Sequence, residues 1–164
     1  MPRQITSQNT VIICTGGFDP VRSNHVHYLR EAKAIANALI VGVNSDAWLV
    51  RKKGKNFMTL VDRVADIEAL GLADQVLTFS DLDNSANDFI QQVINLYPND
   101  NIIYATGIDK SNTLLEFNFC VSSNVAIITD IGGTQVASSS KLLAQWNSEL
   151  TQIQSSNGGI SLIL

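Results

Sequence analysis

Residues 15–25, Thr-Gly-Gly-Phe-Asp-Pro-Val-Arg-Ser-Asn-His, hold the chain's most informative chemistry. Gly16 and Gly17 directly follow an apolar, β-branched run, so backbone N–H groups there can approach a ligand with no side chain in the way. Their alternative role is a tight turn. Phe18 is expected to plug the core beneath the loop, and Asp19-Pro20 is a turn initiator. His25 opens a helical pattern, where unpaired N–H groups and the helix dipole favour an anion. An imidazole at that place can donate to a phosphate oxygen. Arg51, Lys52, Lys53 and Lys55 form the densest basic cluster, readable alone as a solvated loop or as a local anion site.

The elements that must position these groups are legible as alternating patterns. Residues 11–15, 39–43, 76–79, 102–105 and 125–129 are nearly continuous apolar runs, which suits strands buried on both faces of a parallel sheet. Helical spacing of apolar residues fills 25–36, 60–70, 85–97 and 138–146, with a weaker helix over 112–120. Alternation of this kind predicts a single α/β domain: a doubly wound, Rossmann-like, five-stranded parallel sheet with helices on both faces and right-handed crossovers. Ligands of such sheets lie at the carboxyl ends of the strands, near a topological switch point. The tail differs: residues 155–159 form a turning stretch, and 160–164 read as one more short strand, either at the edge of this sheet or paired with a second subunit.

Composition narrows the function classes. The 164 residues are 45% hydrophobic and 16% charged, which excludes a disordered chain, and the length supports one core. Eleven basic against fifteen acidic residues give a net charge of −4, which argues against broad nucleic-acid or membrane-surface binding. Cys14 and Cys120 are too few for a disulfide framework and lack metal spacing. With no signal core and no long apolar span, a cytoplasmic location is expected. No G-x-G-x-x-G follows the first strand, which argues against a dehydrogenase.

Taken together, Gly16-Gly17-Phe18-Asp19-Pro20 through His25 resembles the signature of the cytidylyltransferase-like nucleotidyltransferases, G-x-F-D followed by H-x-G-H at a helix start. The likeness extends over roughly residues 11–146. Residues 38–47, Ala-Leu-Ile-Val-Gly-Val-Asn-Ser-Asp-Ala, are similar to the second-strand segment of the heptose-phosphate adenylyltransferase and glycerol-3-phosphate cytidylyltransferase branches. Lys53-Gly54-Lys55 and Arg63 resemble their flexible basic loop and helix arginine, Gly107 to Asp109 the loop after the fourth strand, and Ser138-Ser139-Ser140 the motif opening the last helix. Phe18-Asp19-Pro20 is also similar to the phosphopantetheine and nicotinamide-nucleotide branches. The H-x-G-H motif is degenerate: Arg22 replaces the first histidine and Asn24 the glycine.

The resemblance implies transfer of a nucleoside monophosphate from CTP or ATP to a small phosphorylated alcohol or sugar, with release of pyrophosphate and with Mg2+ on the triphosphate. It implies catalytic roles for His25, Arg22, Lys53 and Lys55. It implies nucleotide binding by Thr15, Gly16, Gly17, Phe18, His25, Gly107, Asp109, Ser138, Ser139 and Ser140. Asp19, Asp46 and Arg63 would face the acceptor, although Asp66 is an alternative helical partner for Arg63. No protein metal ligand is expected. Relatives are often homodimers, so a homodimer is expected. Arg22 and Asn24 motivate a second reading, a catalytically weakened nucleotide-binding module; a third is an interaction protein that kept only the fold.

Overall fold

The computed structural model describes residues 9–106, 114–129 and 131. Within them five strands form one sheet: β1 (Thr10–Gly16), β2 (Ala38–Val43), β3 (Gln75–Thr78), β4 (Asn101–Ala105) and β5 (Ala126–Ile128). All neighbours are parallel, and the order is β3-β2-β1-β4-β5. The helices are α1 (Ser23–Ala34), α2 (Asp46–Lys53), α3 (Leu60–Ala69), α4 (Asn87–Leu96) and α5 (Phe117–Ser122). The expected last helix at 138–146 and the tail strand at 160–164 lie outside the described residues.

The side-chain alternation of a strand divides the core in two. Ile12 and Cys14 of β1 join Leu39 and Val41 of β2 on one face, against Leu29 of α1 and Ile67 of α3. Val11 and Ile13 join Ile40 and Tyr104 on the other, against Phe89 and Val93 of α4 and Cys120 of α5. Both faces are covered, which is why the strand sequences are continuous apolar runs rather than alternating ones. Gly42 lets α4 approach the sheet closely: a Cβ there would stand 2.9 Å from the Phe89 ring. Burial pushes the Cys14 and Cys120 thiols up to about 12, so both are inert small hydrophobes.

From β1 the chain winds outward through β2 to β3, then returns to lay β4 on the other side of β1 and continues to β5. The direction of winding therefore reverses between β1 and β4. Their carboxyl ends diverge into a crevice, with α1 above one sheet face and α5 above the other.

Two elements depart from expectation. Among the described residues, the helix expected over 112–120 begins only at Phe117 and runs to Ser122. The basic cluster is not a loop: Arg51, Lys52 and Lys53 form the last turn of α2, where cations complement the exposed carbonyls of the helix end. Ser45 caps the start, its Oγ accepting from the Trp48 N–H at 3.1 Å. Gly54 ends the helix in the left-handed region, at φ 91°, and donates its N–H to Val50 O. Only Lys55 lies beyond the helix.

Candidate active site

A cleft of about 470 Å³ opens at the switch point. Its floor comes from the ends of β1 and β4, through Thr15, Gly16, Tyr104 and Ala105. One side carries Asn24, His25 and Tyr28 of α1, and another Trp48 and Lys52 of α2. Glu116, immediately before α5, closes the far side with Leu114 and Leu115.

His25 is held in one chemical form. Its Nδ1 accepts the Arg22 backbone N–H at 3.0 Å, which leaves the ring proton on Nε2 when the imidazole is neutral. Partial burial, and then the charge of Arg22, lower its pKa from the ordinary histidine value, so the ring is neutral at neutral pH. Phe18 braces it edge-on, with ring centres 5.3 Å apart. A neutral ring with an Nε2–H donor, on the first turn of a helix, suits stabilisation of an anionic oxygen.

The two glycines have a packing role in the loop. Neither has a positive φ; Phe18 does, at 50°. That conformation is sparsely populated for a bulky residue and is held by the Phe18 ring folding back under the loop. A Cβ on Gly16 would lie 2.8 Å from that ring, and one on Gly17 would lie 2.7 Å from Leu49 Cδ2. The glycines thus let the floor of the cleft close on Phe18 and α2.

Several charged residues expected at the site have partners within the protein. Arg63 is fully buried. Its guanidinium donates to Gly17 O and Asn44 O, each at 2.7 Å, to Met58 O at 3.2 Å, and to the Asp46 carboxylate at 2.7 Å. Arg63 and Asp46 thus form an ion pair in which the Asp46 carboxylate stays partly exposed, and Asp66 is not the partner of Arg63. Asp19 is likewise turned into the protein. Its carboxylate accepts the N–H groups of Phe57 and Met58, each at 2.7 Å, and pairs with Lys53 at 2.8 Å. Asp19 therefore clamps the signature loop to the segment after α2, and Lys53 ties the same loop to the end of α2, while Lys52, one residue earlier, lines the cleft. Lys52 lies 4.5 Å from the centre of the Trp48 ring, and neither residue was in the expected site. Lys55 is exposed near Phe57, and the Arg22 side chain is outside the cleft lining. Gly107, Asp109, Ser138, Ser139 and Ser140 lie outside the described residues.

The Asp19 clamp has a pH signature. Burial alone would raise its pKa, but Lys53 and the two amides outweigh that and hold it below the usual carboxylate range. A depressed folded-state pKa contributes stability that is complete above the unfolded value, about 3.9, and is lost as pH falls through the folded value. Asp19→Asn is therefore expected to lower the thermal midpoint at pH 7 and to shrink the acid-induced loss. Midpoints measured from pH 7 to pH 2.5 check this; an unchanged acid limb would contradict it.

Asn44 and Tyr28 also line the cleft and were not among the expected site residues. Asn44 and Ser45 are fixed by buried Asp81, which accepts from Asn44 Nδ2 at 3.1 Å, Ser45 N–H at 2.8 Å and Ser45 Oγ at 2.6 Å. Tyr28 donates to Ala105 O at 2.9 Å, and its pKa is driven well above the ordinary value, mainly by burial.

Residues 13–144, about four-fifths of the chain, match the family model described as cytidylyltransferase-like. The chain belongs to that family. Its sequence is 40% identical to the bifunctional protein HldE of Coxiella burnetii over 74 residues, 44% of this chain, and 37% identical to HldE of Helicobacter pylori over 76 residues, 45% of this chain. Each match spans only 16% of the relative's own length. The fold is similar to that of a lipopolysaccharide core biosynthesis protein from Thermoplasma volcanium, with a TM-score of 0.57 and 24% identity, covering 74% of this chain and 96% of that one. It is also similar to a putative nicotinate-nucleotide adenylyltransferase from Vibrio parahaemolyticus, with a TM-score of 0.54 and 12% identity, covering 86% and 88% of the two chains. The cleft lies where this Rossmann-like family fold reverses its winding, and no described helix is long and apolar enough to cross a membrane.

Proposed function

We propose that this protein transfers a nucleoside monophosphate from ATP or CTP to a small phosphorylated alcohol or sugar and releases pyrophosphate. The observation that carries the reading is the neutral His25, fixed as an Nε2–H donor at the start of α1 in the switch-point cleft. Attack by the acceptor phosphate on the α-phosphorus gathers negative charge, and the protein's work is positioning and charge stabilisation. His25 would donate to a phosphate oxygen as that charge develops, and Lys52 would add a positive charge across the cleft. Gly16 and Gly17 would give the phosphates access to the loop backbone. Ser138, Ser139 and Ser140 would hold the outer phosphates, and Gly107 and Asp109 the nucleoside, as the resemblance implies. Arg22, Lys53 and Lys55 belong to the reading as cations of the surrounding rim, and Asp19, Asp46 and Arg63 as the frame of the acceptor side.

The described residues contain no cluster of three metal-binding side chains. Mg2+ would be carried on the triphosphate with most of its waters, where it would neutralise phosphate charge. A cytoplasmic homodimer completes the reading.

The test is pyrophosphate release with magnesium, crossing ATP and CTP with glycerol 3-phosphate, ethanolamine phosphate, heptose 1-phosphate, phosphopantetheine and nicotinamide mononucleotide. Release that depends on one acceptor is expected. Silence with every pair would count against the transferase.

One observation favours the weakened module as second reading. Asn24 lines the cleft where the family motif has glycine, and its Oδ1 accepts the His25 backbone N–H at 3.0 Å. That bond occupies an amide of the α1 N-terminus that an anion would otherwise use. Asn24→Gly is expected to tighten nucleoside triphosphate binding by roughly tenfold, because one such donor to a charged group is worth about 1.5 kcal/mol or more. Calorimetric titration checks it, and weaker binding would show that the Asn24 side chain itself contacts the nucleotide.

A further inference from the structure

The cleft is chemically asymmetric. Its α1 side offers a helix N-terminus and the His25 donor, and α2 contributes Lys52. The opposite side holds a carboxylate. Glu116 is 8% exposed and lines the cleft beside Tyr104, on the sheet face covered by α4 and α5. Its Oε1 accepts the Ala86 N–H at 2.9 Å and lies 3.5 Å from the Tyr104 hydroxyl, which in turn sits 3.3 Å from Thr15 Oγ1 on the cleft floor. Two of the four acceptor positions of the carboxylate are thus taken by described partners.

A carboxylate is a costly neighbour for a phosphate, because the like charges repel. It is a strong acceptor for a neutral N–H or O–H. Resting on the transferase reading, we propose that Glu116 defines a subsite for an uncharged donor group of a substrate, a hydroxyl or amine, and confines phosphates to the α1 side. Tyr104 is the positioning residue: its hydroxyl ties the carboxylate to Thr15 at the end of β1. The donor group comes either from the nucleoside or from the acceptor's polyol, and both have the same chemistry.

The test uses Glu116→Gln, whose amide oxygen still accepts the Ala86 N–H, so the thermal midpoint is expected to stay within a few degrees. Calorimetry compares ATP, CTP, inorganic tripolyphosphate, glycerol 3-phosphate and heptose 1-phosphate on both proteins. We expect one class of ligand to bind roughly tenfold weaker or more, the loss typical of a hydrogen bond to a charged acceptor. Loss of ATP or CTP affinity assigns the subsite to the nucleoside; loss of polyol-phosphate affinity assigns it to the acceptor. Tripolyphosphate should bind the variant as well or better. Unchanged affinity for all the organic ligands, or an equal loss for tripolyphosphate, would overturn the proposal. Failure of the wild-type protein to bind any nucleotide or acceptor would instead defeat the transferase reading, and the subsite with it.

Discussion

Turnover of His25→Ala is expected to fall by about 10²–10³-fold, the usual loss on removing one preorganised donor from a site of developing charge. The protein should remain folded, because the imidazole is only partly buried and its one described hydrogen bond, from the Arg22 N–H, lies at the exposed end of α1. Binding of the nucleoside triphosphate should change much less than kcat, since the donor is worth most when charge grows on the oxygen it faces. His25→Gln is expected to recover part of the loss, because its amide N–H can reach toward the place of Nε2–H. The lowered pKa adds a pH expectation. A pKa below the ordinary histidine value leaves the ring neutral at and above pH 7, so a wild-type kcat that is flat from pH 7 to pH 8 is predicted. Steady-state kinetics of the two variants check this assignment. Wild-type-like turnover in His25→Ala would remove His25 from the chemistry.

Arg63→Met is expected to destabilise the fold by about 3–5 kcal/mol, a large part of the 5–15 kcal/mol typical of a domain. The guanidinium is fully buried and joins three separate segments: Gly17 of the signature loop, Asn44 after β2, and Met58 before α3. Removing it leaves three carbonyl oxygens without that donor, at roughly 1–3 kcal/mol for each one that stays buried and unpaired. The Asp46 pair contributes less to the loss, because its carboxylate side chain is 43% exposed and can turn to water. Arg63→Lys should rescue little, since an ammonium cannot span the four acceptors that the planar fork reaches. Urea unfolding gives the number. A loss under 1 kcal/mol would mean that water or a local shift replaces the guanidinium easily. Because Gly17 lines the cleft, the lysine variant should also bind nucleotide more weakly than its residual stability suggests.

The sheet was readable because its strands are buried on both faces: 11–15 and 39–43 are apolar without interruption and coincide with β1 and β2 to within a residue. α2 was not, since Ala47 to Val50 are consecutive apolar residues followed by three cations, with no 3-to-4 spacing to detect. Its signals were the caps, Ser45 and Gly54, which only gain meaning as a pair. The position of the site followed from the loop after β1 and the helix start at His25. The partition of charges within it did not. Arg63, Asp19 and Lys53 have the residue types of phosphate and substrate contacts, yet each is engaged by partners of the protein itself, Arg63 and the Asp19 carboxylate in the interior and Lys53 at the surface. Spacing along the chain cannot reveal that Lys53 turns to Asp19 while Lys52, next to it, turns to the cleft. Glu116 gave no signal either, because a lone glutamate in a weak helical pattern looks like any surface residue.

The most direct test of the central claim follows the phosphorus. The protein is incubated with magnesium, the acceptor panel, and ATP or CTP labelled either at the α- or at the γ-phosphate. The account predicts that the α-label appears in a new nucleotide-linked product only when an acceptor is present, while the γ-label leaves as pyrophosphate. Inorganic phosphate carrying the γ-label, or an α-label that stays in the triphosphate with every acceptor, would contradict it.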